Sequence, residues 1–322
     1  MRKGKELIIA TKEFAHENPV QSWFYTISTV LMLAASMTIV FMPINIFVRM
    51  FFTILTSLFM VRMFVIYHDN RHGAILNHSK TADIFFWIYG MFILVPSAIW
   101  KRTHDHHHTH NSKLTLAGIG AYPTVTKEKF NSMPKGQRAL YLGIRHPITI
   151  MLGYITLFTI GINLNSFINS PKKHFDCLIT LILHAAISFA IIWFGGWVTY
   201  LLAWLFPFLI AHGIGSYLFY VQHNFPGAEF RDLSEWTYHD AALESTSFLD
   251  MYKLMHWFTA NIGYHHIHHL NVKIPFYRLQ EVMEKMPELQ NPKTIRWTLP
   301  MMWQSFKLKV WDPEKNLMVG LS

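Results

Sequence analysis

A single cysteine, Cys177, occurs in 322 residues, so no internal disulfide can staple the fold. Charge is scarce too. Asp, Glu, Lys and Arg make up 15% of the chain, against about 25% in ordinary globular proteins. Acidic residues are the rarer sign, 19 against 28 basic ones, which gives a formal net charge of +9. That excess forms no basic helix and accompanies no stacking module, which argues against nucleic acid as a partner. Lys and Arg gather instead at the start (Arg2, Lys3, Lys5, Lys12) and beside apolar segments. This is the pattern of positive-inside topology and of attraction to anionic headgroups. No internal repeat, low-complexity tract or linker interrupts the chain.

What fills the space is apolar: 52% of residues are hydrophobic and 16% aromatic. Runs near membrane-spanning length cover Ser22–Met42, Ile44–Tyr67, Pro147–Ile168, Phe175–Gly195 and Trp197–Val221, with a shorter one at Ile84–Trp100. The first run starts well inside the chain and is long enough to span, which predicts a retained anchor and no cleavable signal peptide. The expected fold is an all-α integral membrane protein with no independent soluble domain.

Eleven of the 20 histidines fall in three short windows: His68 to His72, His104 to His110, and His265 to His269. Residues three and four apart share a helix face. His68 and His72 therefore project together, as do His104, His107 and His108, and likewise His265, His268 and His269. Neutral imidazole suits iron, zinc, copper and nickel, and about four ligands saturate one zinc; eight same-face histidines predict two metals. His106, His110 and His266 lie off the shared faces. His184 and His212 sit inside apolar runs, where a hydrogen-bonded core histidine is the expected reading. A membrane metal transporter, the rival from another class, would place ionisable residues along the spans, whereas these clusters lie beyond them.

The three clusters together resemble the membrane-bound fatty acid desaturases, whose motifs are H-x(3 or 4)-H, H-x-x-H-H and H-x-x-H-H in this order. The resemblance covers most of the chain. It continues through Gly73, through Trp100-Lys101-Arg102-Thr103-His104, and through Tyr220-Val221-Gln222-His223, which looks like the family's additional ligand site. Asn261 to Leu270 is similar to the third box. Ile274-Pro275, Tyr277-Arg278-Leu279 and Leu308 to Asp312 resemble the family's exit from that box and its C-terminal region. The likeness is to the acyl-lipid, methyl-end branch more than to the acyl-CoA branch. Asn70-Arg71 in the first box, and the extra His106 and His110, depart from the pattern.

The resemblance implies an oxygen-dependent desaturase acting on a fatty acyl lipid, with two iron ions and dioxygen as co-substrate. Its ligands would be His68, His72, His104, His107, His108, His223, His265, His268 and His269. Asp69, Asp240, Glu244 and Asn261 are candidates to accept the other ring N–H of a ligating histidine. The His-Pro-Gly-Gly signature of a fused haem domain is absent, His146-Pro147 being followed by Ile148, so a separate ferredoxin or b-type cytochrome with its reductase is expected as electron donor. A fatty acid hydroxylase or a carotenoid-modifying oxygenase on the same scaffold is the alternative.

Ligands sharing one centre must emerge on one membrane face. This predicts four spans in two hairpins, with interfacial helices and a cytoplasmic histidine-rich cap. The expected layout is a cytoplasmic N-terminus (1–21), a first hairpin (22–67) and boxes one and two (68–146). An interfacial segment with the second hairpin (147–221) comes next, and then His223, box three and the cap (222–322). Lys172 and Lys173 would be cytoplasmic and Gly195-Gly196 external. Arg49, near the outer end of its run, is expected to snorkel, and an amphipathic helix is expected over Arg278–Leu289, ending near Pro287.

Overall fold

The computed structural model describes residues 1–114 and 120–321; residues 115–119 of the stretch after box two lie outside it. The chain is mostly helical and divides into two compact units. One comprises Glu17–Lys101 and Met151–Ser216, the other Met1–His16, Arg102–Ile150 and Tyr217–Ser322.

The first of these units holds most of the apolar sequence. Among the described residues, three helices are long and apolar enough to cross a membrane: Pro19–Phe41, Ile46–His72 and Phe175–Val221. A fourth candidate arises only if Lys80–Phe92 and Ser97–His110, bent by 89° where they meet, count as one span. The helix Pro19–Phe41 starts where the Asn18 side chain accepts from the N–H groups of Val20 and Gln21, with Pro19 in the first turn, a strong helix start. It buries Ser22, Thr26, Thr29 and Ser36 while Phe24, Ile27 and Leu31 stay exposed. Small polar residues inward and large apolar ones outward suit packing in lipid.

Thr56 Oγ1 donates to Ser36 Oγ at 3.0 Å and Arg62 Nε to Thr29 Oγ1 at 3.2 Å. The partners run in opposite order along the two helices, so Pro19–Phe41 and Ile46–His72 lie antiparallel. Arg49 is hydrogen-bonded within this unit. Its Nε donates to the Val40 carbonyl at 2.8 Å and its Nη2 to Thr199 Oγ1 at 3.0 Å, because the unpaired carbonyls at a helix end are nearby acceptors. The second helix stops at Gly73, whose φ of +66° only glycine adopts without strain.

Phe175–Val221 is broken at Gly196, with φ +75° and ψ 171°. The His184 ring lies 5.3 Å from that of Trp204 and 5.1 Å from Phe208. Residues 20 positions apart on a straight helix would be separated by about 30 Å, so the chain doubles back at this glycine. His184 Nε2 meets the Phe92 carbonyl at 2.6 Å and His212 Nε2 the Ile93 carbonyl at 2.9 Å. Both are hydrogen-bonded core histidines that satisfy the end of the Lys80–Phe92 helix.

The other unit departs from an all-α fold. Phe248–Asp250 pairs in parallel with Thr294–Arg296, and Val310–Asp312 pairs antiparallel with Leu317–Val319. Tyr141 Oη donates to the Lys309 carbonyl at 2.5 Å, fastening the helix Lys135–Ile144 to the second pair. The helix after box three runs Leu279–Lys285 and stops ahead of Pro287. The short helix His265–Leu270 carries box three, and every residue in it is buried.

Candidate metal centre

The second box lies on the helix Ser97–His110 and the third on His265–Leu270, while His223 stands directly after the long helix ends at Val221. Helical spacing turns His104, His107 and His108 inward together, and all three are buried. His106 and His110 fall on the other side, where their rings stack on each other at 3.9 Å.

Two groups of ring nitrogens form. In one, His107, His223, His265 and His269 each offer a nitrogen within 4.8 Å of the others. His223 Nε2 is 3.1 Å from His107 Nε2 and 2.9 Å from His265 Nε2. In the other, His108 Nε2 is 3.1 Å from His104 Nε2 and 3.2 Å from His268 Nε2. The groups adjoin, since the His108 and His269 rings stack at 4.1 Å. All seven belong to the unit that holds Arg102–Ile150 and Tyr217–Ser322. In the other unit, buried His68 and His72 bring their Nε2 atoms to 3.3 Å of each other.

These separations fit a metal. Two imidazoles each about 2.1 Å from one ion and at right angles have nitrogens about 3 Å apart. His269, ringed by His107, His108, His223 and His265 at 4.1–5.0 Å, has its Nε2 buried with no hydrogen-bond partner among the described residues. Such an atom costs about 1–3 kcal/mol unless an ion takes its lone pair. Burial pushes His223 down to about 4, and pushes His269 well below the ordinary histidine range, with the neighbouring histidines adding to it. Both rings are thus neutral near pH 7, the form that ligates. An all-imidazole donor set suits iron, copper, nickel or zinc.

The four candidates for supporting these rings part ways. Asp69 Oδ1 lies 3.2 Å from His68 Nδ1, which fixes that ring. Asp240 instead faces the non-cluster His239 at 3.0 Å, Glu244 pairs with Lys293 at 2.7 Å, and Asn261 donates to the Phe276 carbonyl at 3.2 Å. Among the described residues, none of these three is hydrogen-bonded to a ligand candidate. Gln222 has a supporting role that its motif alone did not reveal, because it joins two segments. Its side chain donates to the Ile262 carbonyl at 2.8 Å and its carbonyl accepts from Ser247 N–H at 3.2 Å. Its place immediately before His223 was the available signal. His266 is buried, and burial lowers it to about 4, but its ring faces Phe248 at 6.2 Å. His174, Asp176 and Cys177 also lie close together; they are sequence neighbours at a helix start, where Asp176 Oδ1 accepts from Cys177 N–H at 3.0 Å.

The family described as fatty acid desaturase matches residues 21–299. A fatty acid desaturase of Bacillus subtilis (strain 168) is 33% identical over 269 residues, 83% of this chain and 76% of that protein. An sn-1 oleoyl-lipid 12-desaturase of Synechocystis is 28% identical over 258 residues, 78% of this chain and 72% of the relative. A chloroplastic omega-6 fatty acid desaturase of Spinacia oleracea is 28% identical over 250 residues, 73% of this chain but 54% of that longer protein. With apolar helices of spanning length, histidine groups able to hold metal and a match over most of its length, this chain belongs to the fatty acid desaturase family.

Proposed function

We propose that this enzyme introduces a double bond into acyl chains esterified in membrane lipid, using two irons held by nine histidines. His107, His223, His265 and His269 would hold one iron; His104, His108 and His268, joined by His68 and His72, would hold the other. The observation that carries this reading is the meeting of seven ring nitrogens, six on buried histidines and one on the half-buried His223, in two adjoining groups. The order and spacing of the first box support adding His68 and His72. The sn-1 oleoyl-lipid 12-desaturase and omega-6 names of the relatives support a lipid-borne substrate of the methyl-end type.

When bound, iron with dioxygen supplies the oxidant that an unactivated C–H bond requires and no acid or base side chain provides. The net change is –CH2–CH2– plus dioxygen, two electrons and two protons, giving –CH=CH– and two waters. The electrons would come from a separate ferredoxin or b-type cytochrome with its reductase. The protein's own residues hold and orient. Burial keeps the His223 and His269 rings neutral near pH 7 and away from bulk water, and Asp69 fixes the His68 ring by accepting from Nδ1.

The two-hairpin topology with a cytoplasmic cap belongs to the same proposal. A 47-residue helix would reach about 70 Å if straight, against a hydrocarbon core of about 30 Å. The break at Gly196 therefore supports reading it as two spans. The deciding experiment is expression in a host lacking polyunsaturated lipids, with total fatty acids analysed for double-bond position by mass spectrometry. A new double bond in lipid-bound chains is expected. A hydroxylated product would reassign the chain to a hydroxylase, and an unchanged profile despite iron-loaded protein would defeat the substrate assignment.

A further inference from the structure

Arg145 is fully buried, yet every acceptor it reaches is neutral. Nη1 donates to the Pro123 carbonyl at 2.7 Å and to Thr124 Oγ1 at 3.2 Å, while Nη2 donates to Asn224 Oδ1 and to the Leu308 carbonyl at 3.4 Å. The guanidinium lies between the rings of Tyr141 and Tyr220, 5.5 and 5.3 Å from their centroids. Its Nε is buried with no hydrogen-bond partner among the described residues. A buried cation without a carboxylate is costly to keep, so its retention needs an explanation in terms of what it holds.

What it holds is the turn after His223. Asn224, itself buried, uses its other end to donate to Tyr220 Oη at 2.8 Å and to the Ser305 carbonyl at 2.7 Å. One side chain is thus clamped from both ends, immediately after the histidine whose Nε2 meets His107 and His265. His223 stands where the long helix has ended, so no helical hydrogen-bond ladder continues beyond it to set its direction. The planar fork of an arginine fixes two directions at once, which a lysine ammonium does not. Lys309 Nζ donates to the Arg145 carbonyl at 2.9 Å, and the clamp is thereby tied to the C-terminal strand pair.

We propose that Arg145 is a positioning residue for His223, acting through Asn224 to hold that imidazole in the metal group it forms with His107, His265 and His269. This rests on the reading of His107, His223, His265 and His269 as ligands. The test uses detergent-purified full-length protein, with iron content as isolated and Co2+ titration of the stripped protein followed by its visible absorption. Wild type should take up two Co2+ per chain. In Asn224→Ala and Arg145→Lys, one Co2+ should bind as in wild type and the other about tenfold or more weakly. Thr124→Val, which removes a different Arg145 contact, should leave both sites intact. The proposal is overturned if both variants bind two Co2+ as tightly as wild type, or if Asn224→Ala loses both sites together with membrane insertion, since the effect would then be on the fold at large. Failure of wild type to bind Co2+ or iron at all would instead defeat the ligand assignment beneath it.

Discussion

His223 Nε2 and His265 Nε2 lie 2.9 Å apart although 42 positions separate them in the chain. One ring stands just past the end of a long apolar helix and the other opens a short buried one. Two nitrogen lone pairs that close repel unless a proton or a metal lies between them, and an ion about 2.1 Å from each relieves the contact.

That contact implies a stoichiometry. Purified protein should carry close to two irons per chain. His265→Ala should lower this to about one and His268→Ala should do the same at the other group, each abolishing desaturation while membrane insertion is kept. Metal analysis of the solubilised protein decides it. One tightly held zinc with no iron would sink the mechanism.

His223 and His106 provide an internal comparison. His223 sits among three ligand candidates, whereas His106 stacks on His110 away from them. Product analysis should show His223→Ala as inactive as His265→Ala, with His106→Ala retaining more than about a tenth of wild-type activity. Equal survival of the two variants would remove His223 from the ligand set.

Topology can be tested by reporter insertion. Tags beside Asp69, Asn111, Lys173 and Ala228 should all report the cytoplasm, and a tag at Gly195-Gly196 the opposite face. Ligands about 2 Å from a shared ion cannot sit on opposite sides of a core about 30 Å thick. An external histidine box is the outcome that would make the shared centre untenable.

Local patterns in the sequence were enough for much of this. The spacing of His104, His107 and His108 put three rings on one helix face because helical period is a property of neighbours. The apolar runs marked the long helices, Gly195-Gly196 marked the break, and Pro287 marked a helix end. Partner choice was not legible. Asp240 looked available to a ligand ring but bonds His239, Glu244 bonds Lys293, and Arg49 turns to the Val40 carbonyl. The strand pairs at Phe248–Asp250 and Val310–Asp312 join segments too short for any two-residue alternation to show. Arg145 gave no signal at all, since its meaning lies in Asn224 and Leu308, 79 and 163 positions away. Sequence by itself determined which residues could bind metal, because side-chain chemistry and helical period are local. Only the tertiary structure decided which nitrogens meet and which polar groups support them, because a buried group takes the partner that folding brings within hydrogen-bond reach.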